Sequence, residues 1–373
     1  MQGQPRRILL VVSSLAAGGA ERIISELANA WAENGDAVAI LTLSKQESDH
    51  YHIDFRVQRI VVDLIWDSNS LFQRISSNIR RGRALRSAVV EYRPDVVVSF
   101  IEQTNIRVLM ALLGAGIPVV VSERIDPRQY SIGYLWETAR RVMYPTASAL
   151  VVQTESVRQW AKWLVPSSRI RVIENFVRSL PPAPAWHARD SGEILGVGRL
   201  VKQKGFDLLI QAYAMSGLHA EGVRLTILGE GPEREPLMRL AEELGVADRL
   251  NMPGVVSDPE AWMARCELFV LPSRFEGFPN VLIEAMAMGC PVIASDCRSG
   301  PSEIVHDKDN GLLTAPGDVA ALASALRLLH SDGALRRKLA QAAARVRERF
   351  ALQKIVFKWD RLISNLLNGE PRD

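Results

Sequence analysis

The stretch RFEGFPNVLIEAMAMG, residues 274–289, sets two carboxylates, Glu276 and Glu284, with seven residues between them in a run that is otherwise small, apolar or turn-forming. Pro279 suits the first turn of a helix, where its missing N–H is not needed. The pattern therefore predicts a helix from Pro279 to Gly289, with Glu276 in the loop before it and Glu284 along its length. No Ser, Thr, Asp or Asn stands immediately before the proline, so the first N–H groups, those of Asn280 and Val281 among them, lack an obvious side-chain cap. An uncapped helix start draws anions. The same letters also fit a turn and a core helix with two solvated acids, and the choice between the two depends on what else shares the site.

Three other loops carry matching chemistry. GRLVKQKGF, residues 198–206, brings Arg199, Lys202 and Lys204 into a glycine-bounded loop. A guanidinium fork and a lysine point charge suit phosphate oxygens, although a basic loop can equally be plain solvated surface. ILGEGPER puts Gly229, Glu230 and Gly231 at the end of an apolar run, where backbone without Cβ atoms could approach a flat ring or sugar, or simply turn into a helix. Gly18-Gly19 gives the main chain the same freedom at another helix start. Neither opening loop spells a dinucleotide fingerprint: the first lacks the initial glycine, and GVGRLV has valine where the third small residue belongs. Nicotinamide chemistry is not expected.

Other signals exclude more than they assign. Residues 307–309 read DKD, two acids at a spacing that could share a metal ion, but Asn310-Gly311 follows directly and marks a turn. The six histidines show no metal-ligand spacing, so no protein-bound catalytic metal is expected. Cys266, Cys290 and Cys297 make an odd count without paired metal spacing and read as reduced, small apolar residues of a cytoplasmic protein. A formal charge of +3 is too small to point to nucleic acid. No apolar run approaches the roughly 20 residues needed to span a bilayer. Arg6-Arg7 followed by ILLVVSSLA has the outline of a short secretory signal, yet a first buried strand leading into a loop and helix accounts for the same letters and their continuation.

The elements that must position these loops come in two similar sets, and 373 residues suit two domains better than one. RRILLVVSS reads as a central parallel strand; Ile23, Ile24, Leu27, Ala28 and Trp31 then recur at helical spacing and stop at Gly35. AVAILTL, DVVVSF, IPVVVSE and ALVVQT follow, alternating with helical stretches such as NIRVLMALLGAG. At Leu180 the chain changes to LPPAPAW, a linker or hinge, and the pattern restarts with EILGVGRL, RLTILGEG, ELFVLPS and PVIASD. KIVFKWDRLISNLL is an amphipathic terminal helix with an apolar stripe to bury. Alternation of this kind predicts an α/β fold with parallel sheets covered on both faces, and ligands beyond the carboxyl ends of the strands.

Taken in order, GGAER, GVGRLVKQKGF, ILGEGPER and the spaced glutamates of FEGFPNVLIE resemble the retaining GT-B glycosyltransferases of family 4 over nearly the whole chain. The resemblance implies two Rossmann-like domains facing across a cleft: residues 1–180 on the acceptor side, residues 187–350 holding a nucleotide-diphosphate sugar, and a last helix, 352–369, packing back on the first domain. It implies transfer of a hexosyl or N-acetylhexosaminyl group, from a UDP sugar as the leading expectation, to a hydroxyl of a saccharide or lipid-linked saccharide. No cofactor is implied beyond that donor as co-substrate. Arg199 and Lys204 would meet the diphosphate, Glu276 the hydroxyls of the donor sugar, and Glu284 the ribose. Gly18, Gly19, Phe278, Asn280 and Val281 would approach sugar and phosphates through their backbone, with Gly229 and Glu230 also on the donor side.

Where many relatives carry a histidine near the donor sugar, this sequence has VSERIDPRQY. Glu123, Arg124 and Asp126 are candidates for a sugar or acceptor contact, with structural pairing as the alternative. The SERxDPR wording resembles a subgroup tied to bacterial surface-polysaccharide assembly, which implies a cytoplasmic enzyme working at the inner membrane's cytoplasmic face. FQRISSNIRRGRALRS and RQWAKWLV, with Arg158, Trp160, Lys162 and Trp163, offer a basic surface for anionic lipid or an ordinary solvated helix face. The same fold also leaves open a phosphorylase or epimerase, and a two-lobed protein that binds sugar or nucleotide without catalysis.

Overall fold

Uninterrupted aliphatic runs become strands buried on both faces. In the computed structural model, which describes residues 5–16, 18–44, 49–62, 71–182 and 192–369 (71–79 by backbone only), they build two parallel sheets. The chain divides into two compact units, one formed by Met1–Asn175 with Gln353–Asp373, the other by Phe176–Leu352. Most of the proline-rich LPPAPAW stretch, residues 183–186, lies outside the described residues.

In the first unit the strands are β1 (Arg7–Val12), β2 (Ala37–Thr42), β3 (Gln58–Val61), β4 (Val96–Phe100), β5 (Val119–Ser122), β6 (Ala149–Val152) and β7 (Ile170–Val172). They lie in the order β3-β2-β1-β4-β5-β6-β7, every neighbour parallel. Helices α1 (Gly19–Glu33), α2 (Leu71–Tyr92), α3 (Glu102–Leu112), α4 (Tyr134–Met143) and α5 (Glu155–Ala161) make the connections. The α1 stripe of Ile23, Ile24, Leu27, Ala28 and Trp31 is buried as its spacing predicts, and the helix stops just before a left-handed Gly35.

The second unit has β8 (Glu193–Val197), β9 (Arg224–Leu228), β10 (Leu250–Gly254), β11 (Leu268–Leu271), β12 (Val292–Ser295) and β13 (Leu312–Thr314), in the parallel order β10-β9-β8-β11-β12-β13. Its helices are α6 (Phe206–Ser216), α7 (Arg234–Glu243), α8 (Pro259–Arg265), α9 (Asn280–Ala287), α10 (Pro301–Ile304), α11 (Val319–Ser331), α12 (Gly333–Ala343) and α13 (Val346–Arg349). Each unit is Rossmann-like.

The last helix, α14 (Leu352–Asn368), buries Ile355, Val356, Trp359, Leu362 and Ile363 in the first unit. Trp359 meets Trp31 edge-on at 6.4 Å between ring centroids and Phe100 at 6.0 Å. Asp360 beside it accepts from Trp31 Nε1 at 2.9 Å and from Arg6 Nη2 at 2.7 Å, so the polar edge of this aromatic cluster is satisfied. Among the described residues no helix is long and apolar enough to cross a membrane.

Strand order reverses between β1 and β4 in one sheet and between β8 and β11 in the other. Open α/β sheets take ligands outside the strand ends at such switch points. In the second unit the loops at that point are GRLVKQKG after β8 and PSRFEGFPN after β11, two of those singled out by their chemistry. In the first unit the residue following β4, Ile101, holds φ at 72°, a strained value for a β-branched side chain.

Candidate functional site

The β8 and β11 loops are stitched together residue by residue. Arg274 donates its backbone N–H to Gln203 O at 2.8 Å, and Gln203 Nε2 donates to Phe275 O at 3.0 Å. The Arg274 guanidinium forks onto Asp207 at 2.7 and 2.6 Å and also reaches Lys202 O at 2.9 Å. This clamp sets Lys204 opposite Glu276, with Nζ donating to Oε1 at 2.6 Å; Ser273 Oγ donates to the same oxygen at 2.6 Å. Gly205 makes the approach possible, because a Cβ there would lie 2.2 Å from Pro272 O.

Helix α9 starts one residue later than its sequence suggests. Pro279 is the N-cap, with φ −77° and ψ 91°, rather than the first helical residue, and the last turn closes at Ala287 before a left-handed Gly289. No side chain caps the start. Its approach is braced from below: Ser299 Oγ donates to Gly277 O at 3.4 Å, and a Cβ on Gly300 would sit 2.7 Å from that same oxygen. Phe278 turns its ring inward, edge-on to Phe350 at 5.5 Å, and Val281 packs on the same core. Their side chains thus anchor the turn that leads into α9. Glu284, on α9, is buried with Arg178 Nε 3.9 Å from its Oε2.

Arg199 is exposed and makes no side-chain ion pair among the described residues, unlike Lys204. The loop that carries it lies on the β9 loop through Leu200 N–H to Glu230 O at 2.8 Å. Gly229, at φ 136°, would place a Cβ 2.0 Å from Gly198 O, and Gly231 would place one 2.3 Å from Leu200 O. What these glycines admit is the neighbouring loop's backbone. The Glu230 carboxylate pairs with Arg234 one turn on, at 2.8 Å.

In the first unit, Gly18 is the N-cap of α1 and no side chain caps the start; Gly18 N–H donates to the Tyr51 hydroxyl at 3.2 Å. The space beside Gly18 is held by the chain's own Glu21, whose Oε2 lies 2.1 Å from where a Cβ would be. An acidic side chain in the first turn suits the helix dipole.

Glu123 and Asp126 are paired within the fold. Glu123 is 1% exposed, accepts from the Tyr144 hydroxyl and sits 3.4 Å from Arg140 Nε; burial pushes its carboxyl up to about 7, against the pull of Arg140. Asp126, fully buried, accepts from Arg128 N, Nε and Nη2 at 2.8–3.0 Å. Arg124 differs. Its guanidinium donates to Asn175 Oδ1 at 2.7 Å and lies over the Phe100 ring at 5.2 Å, and burial lowers it to about 9 while Glu21 opposes that shift. Of the three, Arg124 is the one whose charge is not matched by a carboxylate in direct contact among the described residues.

The DKD stretch forms a turn in which Lys308 N–H donates to Gly311 O at 2.8 Å and Asp307 Oδ1 accepts from Leu313 N–H at 2.9 Å. Of the basic tryptophan-bearing surface, Trp160 packs on the core under Arg140 and only Trp163, 89% exposed, stands out from it. Arg158 bonds Glu155 and Lys162 bonds Gln159. The side chains of residues 72–79 in the arginine-rich helix lie outside the described residues.

Sequence reasoning missed the clamp residues Gln203, Asp207 and Arg274, the supports Ser273 and Ser299, and the Arg178–Glu260 pair. Arg274 was in view two residues before Glu276, but its partner Asp207 lies 67 residues away.

The family description Glycosyltransferase Family 4 matches residues 17–179, and Glycosyl transferases group 1 matches residues 186–346. The chain belongs to the family 4 glycosyltransferases. This glycosyltransferase is 28% identical over 367 residues, 97% of its own length and 99% of the other's, to the GalNAc-alpha-(1->4)-GalNAc-alpha-(1->3)-diNAcBac-PP-undecaprenol alpha-1,4-N-acetyl-D-galactosaminyltransferase of Campylobacter jejuni. It is 29% identical to the lipopolysaccharide core biosynthesis glycosyltransferase LpsD of Rhizobium meliloti, covering 91% of this chain and 92% of that one. Among solved structures, the sucrose-phosphate synthase of Thermosynechococcus elongatus shares its fold at a TM-score of 0.84 with 20% identity, covering 98% and 100% of the two chains. HepE of Anabaena, in complex with UDP and glucose, does so at 0.78 with 21% identity, covering 96% and 99%. The fold is GT-B.

Proposed function

We propose that this glycosyltransferase moves a hexosyl or N-acetylhexosaminyl group, with retention of configuration, from a nucleotide-diphosphate sugar to a hydroxyl of a saccharide in surface-polysaccharide or lipid-linked oligosaccharide synthesis. UDP is the favoured nucleotide, and no cofactor is required beyond the donor. The observation that carries this reading is the Lys204–Glu276 pair at the β8–β11 switch, held next to the uncapped start of α9.

In this reading Arg199 and Lys204 face the diphosphate together with the α9 backbone at Asn280 and Val281, Glu276 accepts from hydroxyls of the transferred sugar, and Glu284 accepts from the ribose. Breaking the anomeric C–O bond puts negative charge on the departing phosphate oxygen, and preorganised donors stabilise it; losing one typically costs about 100- to 1,000-fold in rate. The acceptor oxygen attacks from the side the phosphate leaves, and its proton passes to a phosphate oxygen. Lys204 has a second task, since its ion pair fixes Glu276 before any donor arrives.

The lipid-linked saccharide in the name of the Campylobacter jejuni relative and the UDP bound by HepE support the acceptor class and the nucleotide. Arg124 is the residue of its loop best suited to a sugar or acceptor contact. A peripheral contact with anionic lipid at the cytoplasmic face of the membrane is part of the same reading, with Trp163 as its anchor. Thermal-shift screening of nucleotide sugars, followed by product analysis with the best binder, tests the whole. A new glycosidic bond with retained anomeric configuration is expected. An inverted product, or none with any donor that binds, would overturn it.

A further inference from the structure

We propose that Arg178 is a positioning residue that orients Glu284 for the donor's ribose, and that Glu260 holds Arg178 in place for this task. The inference rests on the reading of Glu284 as the ribose-binding group.

Three charged side chains from three segments of the second unit meet here. Arg178 lies in the segment entering the unit, Glu260 in α8 and Glu284 on α9. Arg178 Nη2 pairs with Glu260 Oε1, and its Nε faces Glu284 Oε2 at 3.9 Å; the Glu284 side chain is only 6% exposed. At 3.9 Å the second contact is an attraction between charges rather than a hydrogen bond, so Arg178 biases the carboxylate's orientation through charge.

The base of Arg178 is fixed as well. Val177 before it is buried and donates its N–H to Phe350 O at 2.8 Å, and the Phe350 ring packs against Phe278 of the FEGFPN loop. The same packing that holds the donor loop therefore holds the arginine that faces Glu284. Next to Glu284 in sequence, Leu282, Ile283, Ala285 and Met286 are all buried and apolar, while Asn280 and Met288 lie one turn away on its own face. Arg178 is a cation that these contacts bring to it.

The test uses the full chain and calorimetric binding of whichever of UDP, GDP and ADP binds the wild type tightest, compared with its 2′,3′-dideoxy counterpart. Hydrogen bonds to a charged group imply that the wild type prefers the intact ribose by roughly 10- to 100-fold. In Arg178→Gln that preference is expected to fall to within about threefold, through weaker binding of the intact nucleotide alone, and the KM for the sugar donor is expected to rise with kcat little changed. Arg178→Lys should restore part of the preference. Glu260→Gln, which removes the charge that holds Arg178, is read in the same way and stands in should Arg178→Gln not fold. If both ligands weaken equally in these variants, or if the preference persists, Arg178 does not position Glu284 and the proposal is overturned alone. A wild type with no preference, or with no affinity for any of the three, overturns the ribose reading of Glu284 and this inference with it.

Discussion

Lys204 and Glu276, 72 residues apart in the chain, form one ion pair in which Nζ donates to Oε1 at 2.6 Å. Glu276 is 5% exposed, and among the described residues its other side-chain hydrogen bond comes from the Ser273 hydroxyl. A lysine that served the donor alone could be removed without cost to the fold. This one cannot, because Lys204→Ala strands a buried carboxylate, at a cost on the order of 3 kcal/mol. Thermal unfolding of Lys204→Ala should show a clear fall in Tm together with lost turnover. An unchanged Tm would mean that the pair contributes nothing to the resting site.

Gly229 should tolerate no side chain. A Cβ at that position would lie 2.0 Å from Gly198 O on a backbone at φ 136°, so the two loops must part or refold. Gly229→Ala is expected to lose about 3 kcal/mol in urea unfolding. Gly35→Ala, where φ is 93° but nothing lies within 4 Å, should lose only about 1 kcal/mol. Equal losses would show that backbone conformation alone decides, and not the contact between loops.

Glu123 should leave a mark on stability against pH. Its folded carboxyl is raised to about 7 by burial, above the ordinary value of 4.5, so the native state holds its proton more tightly than the unfolded chain. The contribution is full below about pH 4.5 and is lost as pH rises through 7, amounting to about 3 kcal/mol at most. Glu123→Gln cannot ionise and should flatten this part of the curve. Unfolding free energies at pH 5, 6, 7 and 8 check it: wild type is expected to decline relative to the variant, and parallel curves would contradict the assignment.

The centres of both sheets were legible in the sequence and their edges were not. β1, β2, β4, β5 and β6, and β8, β9, β11 and β12, each follow an apolar run that stands out from its surroundings. β3, β7, β10 and β13 are edge strands, short or half exposed, and β10 carries Pro253; such strands lack the two-sided burial that makes a run continuous. At the site, residue types were readable and partners were not. Glu276 and Lys204 each looked like a ligand group, but nothing local signals a pair that spans 72 residues. Glu123 sits among charged letters that read as surface, and only Tyr144, 21 residues on, together with Arg140 makes its burial tolerable.

Glu276→Gln is the most direct probe of the donor site, because glutamine keeps the size of the side chain and an acceptor for Ser273 while removing the charge that faces Lys204. The quantity to measure is release of nucleoside diphosphate from the best-binding sugar donor with acceptor present, beside the affinity for the nucleoside diphosphate itself. A rate about 100-fold below wild type, with that affinity within a few-fold, is the expected result. A rate within twofold of wild type would contradict the assignment of Glu276 to the transferred sugar.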